Sequence, residues 1–269
     1  LARHDIGYHT DFHSVQPAPA VYLEQMGWLD GAAEFQRREE RGLRDLQRIF
    51  GVVPTSYGQP GSSWGPQAHR ALRQMGVPIY LDEGSHVAVR DQPYWFAGVL
   101  NVFGIRSFAF RAGLDIGEKF EDFAKRFDEK AEELRKRGGG LISIYYHPTE
   151  FVATEFWDGV NFRRGESRDR SKWKGPNLRA KQDSERTFEV IRQLVRYAKP
   201  KPGVRFVTGA DIPRIYQSAL GQPVTQAEAL RLLRAGIRFH EQGGNVLSAA
   251  ELLQSALGIA PIEVEGPLA

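Results

Sequence analysis

Three of the seven histidines in this 269-residue chain stand where they could do chemistry. His9 and His13 lie four apart in His4-Asp5-Ile6-Gly7-Tyr8-His9-Thr10-Asp11-Phe12-His13, and His147 closes the apolar run Leu141-Ile142-Ser143-Ile144-Tyr145-Tyr146. Positions i and i+4 share a face if Thr10 to Ser14 form a helical turn. Two imidazole nitrogens side by side are what a divalent ion needs from a rigid element. A third protein ligand and an open position would turn the pair into a hydrolytic site. The same spacing also serves a capped turn or a surface pair, so spacing alone leaves both readings open. His147 sits at the tip of a predicted buried strand, with Pro148 fixing the exit, where a general acid or base belongs in a parallel α/β protein. A satisfied structural histidine is the alternative there.

The elements that must position these groups alternate along the chain. Helical spacing predicts a helix over 32–50, with Phe35, Leu43, Leu46, Ile49 and Phe50 on one side and Gly51 as its stop. Val52 to Tyr57 reads as a short strand entering the Gly-Pro-Ser loop Tyr57-Gly58-Gln59-Pro60-Gly61-Ser62-Ser63-Trp64, whose backbone could approach a ligand. A helix over 67–75 and a strand over 77–81 follow; Asp82, just past that strand, is a site candidate or a turn cap. Residues 95–102 and 104–110 are β-rich. The clearest helix spans 118–137, with Phe120, Phe123, Phe127, Ala131 and Leu134 as its stripe and Gly138-Gly139-Gly140 as its end. Residues 141–146 predict a buried parallel strand. The long stretch 149–176 is too aromatic for disorder and reads as a cover. A helix over 181–199 and a strand over 204–208 precede two helices opened by capping boxes, Thr225 with Glu228 and Ser248 with Glu251.

Composition narrows the classes. Hydrophobic residues make up 41% of the chain, enough for one large α/β domain. The net charge of +3 is too small to argue for nucleic acid, and the one basic cluster, residues 163–174, is interleaved with acids. No run is long and apolar enough to predict a membrane span. With no cysteine, any metal must rest on His, Asp or Glu.

The segment Asp5 to His13 resembles the second motif of the NodB-type polysaccharide deacetylases, a His-Ser/Thr-x-x-His signature preceded by an acidic residue and a glycine. The resemblance runs over roughly residues 4 to 216. It implies an irregular (β/α) barrel over 1–219 whose first strand, bearing the third metal ligand and the general base, precedes Leu1, with 220–269 as a helical appendage. It implies a divalent metal, usually zinc in that family, on His9 and His13, and His147 as general acid. Tyr57, Pro60, Gly61 and Trp64 match the third motif, a groove wall; Gly58 or Gln59 stands where the family has an arginine that orients the catalytic aspartate. Asp91 to Trp95 resembles the fourth motif with Tyr94 in place of its second aspartate, and Trp95 and Trp157 would stack on sugar rings. The implied activity is metal-dependent removal of acetyl groups, mainly N-acetyl, from a carbohydrate. Two other expectations stand beside it. One is a barrel hydrolase with Asp5, Asp11 or Asp82 in a different metal set and a non-acetyl substrate. The other is a non-catalytic glycan-binding relative. Neither reading fixes the compartment.

Overall fold

The structure is a computed structural model that describes residues 4–11, 17–23, 26–60, 65–82, 88–90, 92–103, 106–109, 119–156, 160–161, 169–217, 225 and 227–228. Those residues form two compact units. Residues 1–13, 17–104 and 207–269 belong to the first, and 14–16 and 105–206 to the second. Both are mixed α/β. The strands make a five-stranded sheet and a two-stranded sheet, and neither closes into a barrel among the described residues.

In the first unit, β1 (Gly7–Tyr8), β2 (Ser56–Gly58), β3 (Ile79–Asp82) and β5 (Val99–Phe103) run parallel, and β4 (Tyr94–Phe96) pairs antiparallel with β5 at the edge. The β-rich run expected over 95–102 is thus a hairpin. Its two-residue turn, Ala97-Gly98, takes positive φ at both positions (50° and 74°), the signature of a primed turn that matches strand twist. Helices α1 (Pro19–Leu23), α2 (Trp28–Phe50) and α3 (Ala68–Gln74) cover the sheet. Helix α2 begins four residues before its predicted start because Trp28 and Ala32 continue its buried stripe with Phe35 and Leu43. Gly51, at φ 71°, closes it in the left-handed conformation that glycine adopts without strain.

The core of this unit is organised by one register row. Tyr8, Tyr57, Tyr80, Asn101 and Tyr94 are direct partners across the five strands, and all are 6% exposed or less. Side chains in one row share a face, and this face meets α2 and α3. Phe35 packs edge-on to Tyr57 at 5.4 Å, and His69 stacks on Tyr80 at 4.9 Å. Each buried polar tip of the row's sheet interior finds a partner, as a low-dielectric core demands. The Tyr8 hydroxyl donates to Glu39, and the Tyr57 and Tyr80 hydroxyls both donate to Gln59 Oε1, at 2.9 and 2.8 Å. Asn101 Oδ1 lies 2.5 Å from His69 Nε2, while His69 Nδ1 lies 2.8 Å from the Pro66 carbonyl.

In the second unit, α4 (Phe120–Lys136) packs on α5 (Lys181–Ala198) through Phe123, Phe127, Leu194 and Ala198. The strands β6 (Arg106–Ala109) and β7 (Ile142–Tyr145) pair in parallel. The stretch expected to be a buried strand is β7, but it is only partly buried, because β6 is its sole ladder partner among the described residues. The strand expected over 204–208 does not form; those residues run without a ladder, with Val204 packed on the α4/α5 core. The short helix α6 (Asp211–Ile215) follows in the first unit. The predicted capping box at Thr225 is present: Thr225 N–H donates to Glu228 Oε2 at 2.7 Å, and Glu228 N–H to Thr225 Oγ1 at 3.3 Å. The box expected at Ser248 and Glu251 lies outside the described residues. No helix among them is long and apolar enough to cross a membrane.

His69 makes the fold acid-sensitive. Burial depresses its pKa to about 4 from 6.5, against the opposing pull of the Asn101 and Pro66 oxygens. A depressed histidine contributes stability that is present above the unfolded value and lost as pH falls through the folded one. Urea unfolding is therefore expected to show stability falling by about 3 kcal/mol between pH 6.5 and 4. His69→Gln should flatten that slope, and an unchanged slope would assign the acid sensitivity to other groups.

Candidate functional site

His9 leaves β1 one residue after buried Tyr8, so it projects from the opposite face of the sheet and is exposed. Its Nδ1 lies 2.6 Å from the Gly58 carbonyl. A carbonyl can only accept, so Nδ1 carries a proton. Metal-ligating histidines are commonly oriented by such a bond from one ring nitrogen to a carbonyl or carboxyl. His13, the second expected ligand, lies outside the described residues. Among the described residues no group of three His, Asp or Glu converges on one point.

Of the helical turn expected from Thr10 to Ser14, only Thr10 and Asp11 lie among the described residues, and Thr10 departs from helical geometry. Thr10 has φ 70°, a left-handed conformation that costs a β-branched residue of order 1–3 kcal/mol and persists only when its surroundings over-determine it. Here the determinant is Glu39, which reaches up from α2 and is 2% exposed. Its Oε2 accepts the Tyr8 hydroxyl at 2.5 Å, the Thr10 hydroxyl at 2.6 Å and the Asp11 backbone N–H at 2.9 Å. Burial, then the neighbouring Glu39, pushes the Tyr8 phenol far above its ordinary range, so Tyr8 acts only as a donor. Gly42 completes the seat: a Cβ there would come within 2.9 Å of the Tyr8 hydroxyl and 3.0 Å of Asp11 Cβ. Asp11 is closed from outside by Arg41, 2.7 Å away.

His147 presents differently. Its side chain is 47% exposed, just past β7 at the head of the 3₁₀ turn Pro148–Phe151. Its Nδ1 lies 3.2 Å from Oε1 of buried Glu150, and the ring meets Phe156 edge-on at 4.4 Å. No family model, no curated protein and no solved structure matches the chain. The functional reading therefore stands on these residues.

The remaining expected site residues divide. Tyr57 is fully buried against Tyr8, Phe35 and Tyr80, so its side chain belongs to the core and not to a groove wall. Pro60 is buried beside it. Gln59, one of the two residues at the place of the family's arginine, is 5% exposed and accepts from the two tyrosines through its carbonyl. Trp95 is half-buried, and its indole N–H donates to the Tyr216 carbonyl at 3.2 Å. Gly61, Trp64 and Trp157 lie outside the described residues. Of the rival ligands, Asp5 accepts the Ala210 N–H at 2.9 Å, Asp11 is paired with Arg41, and Asp82 ends β3. Glu39 and Glu150, the two buried carboxyls behind the histidines, escaped sequence reasoning. Glu39 reads as one more acid on a charged helix, and the only signal was its place on the Phe35–Leu43 side of α2.

Glu39→Ala removes the acceptor from two buried or half-buried hydroxyls and one N–H and is expected to lower unfolding stability by about 2–4 kcal/mol. Glu39→Gln keeps a carbonyl oxygen and should cost about half as much. Equal losses, measured by urea denaturation, would reduce the role of Glu39 to filling volume.

Proposed function

We propose that this chain belongs to a metal-dependent hydrolase that removes acetyl groups, mainly N-acetyl, from a carbohydrate. The observation that supports the reading is His9: an exposed ring whose Nδ1–H is held by the Gly58 carbonyl, on a turn fastened from behind by Glu39. His9 and His13 would hold the ion. Zinc suits two imidazoles in a chain without cysteine. A divalent ion supplies Lewis acidity toward the acetyl carbonyl and a lowered pKa for water. His147 donates a proton to the leaving amine as the amide bond breaks, so that the product departs neutral. The parallel order of β1, β2, β3 and β5, with helices between β1 and β2 and between β2 and β3, supports the finer assignment to an irregular (β/α) barrel of the deacetylase type.

The ties of Asp5 and Asp11 weigh against a metal set built on those two residues. Acetate release from N-acetylated sugar oligomers, assayed with zinc supplied, is the expected activity. His9→Ala or His147→Ala should each lower it by about 10²-fold or more. Unchanged turnover in either variant, or release of a product other than acetate, would overturn the assignment.

A further inference from the structure

A histidine that passes a proton to substrate must do so from a defined nitrogen, and the turn after His147 is built to define it. Pro148 opens a single 3₁₀ turn, and the Glu150 N–H donates back to the His147 carbonyl at 2.9 Å. One 3₁₀ turn separates residues i and i+3, so the Glu150 side chain returns beneath the ring three residues earlier. The two groups then sit 3.2 Å apart, Nδ1 to Oε1, with Glu150 2% exposed and the His147 side chain 47% exposed. Surface pairs such as Lys181 with Glu185, 91% and 67% exposed, are the ordinary kind in this chain; the pair at His147 has one partner in the interior.

The turn is also clamped. Arg179 Nε donates to the Glu150 carbonyl at 2.9 Å, Ser184 Oγ to the Phe151 carbonyl at 2.6 Å, and Arg179 N–H to the Val152 carbonyl at 2.9 Å. Phe156 stands edge-on to the imidazole and limits its rotation. A buried carboxyl is costly unless it is well bonded, and a rigid turn that points one at an exposed ring nitrogen is preorganised to hold that ring.

We propose that Glu150 is the positioning residue of His147, fixing its proton on Nδ1 so that Nε2 alone exchanges protons with the substrate. The inference rests on the assignment of His147 as general acid. In the acid step the Nε2–H bond breaks and its proton passes to the leaving nitrogen. The ring is left neutral, with Nδ1–H still donated to Glu150, so no further reactant is needed.

The test is the tautomer of His147, read from the ring ¹⁵N resonances of the full chain at a pH where the ring is neutral and assigned by comparison with His147→Gln. The wild type is expected to carry the proton on Nδ1. Glu150→Ala should shift His147 toward the Nε2–H form that free imidazole side chains favour in water, and Glu150→Gln, whose amide oxygen still accepts, should keep it on Nδ1. A wild-type proton on Nε2 would overturn the proposal, as would a tautomer unmoved in Glu150→Ala. If the alanine variant does not fold, the wild-type and glutamine spectra decide alone. In acetate release, Glu150→Ala is expected to lower kcat by up to about 10²-fold with KM unchanged, and Glu150→Gln to recover most of the loss. A wild type that releases no acetate would refute the deacetylase reading while leaving the tautomer result to judge Glu150.

Discussion

One carboxyl oxygen, Glu39 Oε2, holds the turn after β1 in place. It gathers a phenol from β1, a hydroxyl from the turn and a backbone N–H beyond it, all within 2.9 Å. Without that acceptor, Thr10 has no reason to stay at φ 70°, and the chain leaving β1 would relax toward an ordinary extended or helical path. His9 would then lose its approach to the Gly58 carbonyl. Strain in the turn and burial of the carboxyl are thus two sides of one arrangement: neither is favourable alone, and each accounts for the other.

The same logic extends inward. A sheet packed against two helices is usually lined by aliphatic side chains, whereas this one carries four tyrosines and an asparagine along a single row, with His69 of α3 stacked on it. Such a row holds together only if every polar tip is answered, and Glu39, Gln59 and Pro66 supply the answers. Networks of this kind specify one register, because a slip by one residue would turn the tyrosines to the other face and orphan their partners. The second unit repeats the device on a smaller scale, with a buried glutamate behind an exposed histidine.

Much of this was legible in the sequence because it depended on local periodicity. The stripe Phe35-Leu43 with Gly51, the helix ending at Gly138, and the box Thr225/Glu228 announce themselves within a few residues. The Ala97-Gly98 hairpin did not, since Ala97 gives no turn signal and the run reads as continuous β. The resemblance to the third motif places Tyr57 in a groove wall; its burial follows from Phe35 and Tyr80, which are distant in sequence. The strand expected over 204–208 has the composition of one and lacks a partner. The histidines could be found from spacing and strand position. The carboxyl behind the His9 turn could not, because Glu39 is joined to Thr10 only by the crossing of a helix over a sheet.

The proposed function requires His9 and His13 to hold a metal ion. Elemental analysis of the purified wild-type protein beside His9→Ala/His13→Ala tests it most directly. The account predicts about one equivalent of zinc or a similar divalent ion in the wild type and its loss in the double variant. Wild-type protein without metal after exposure to zinc, or equal metal in both, would contradict it.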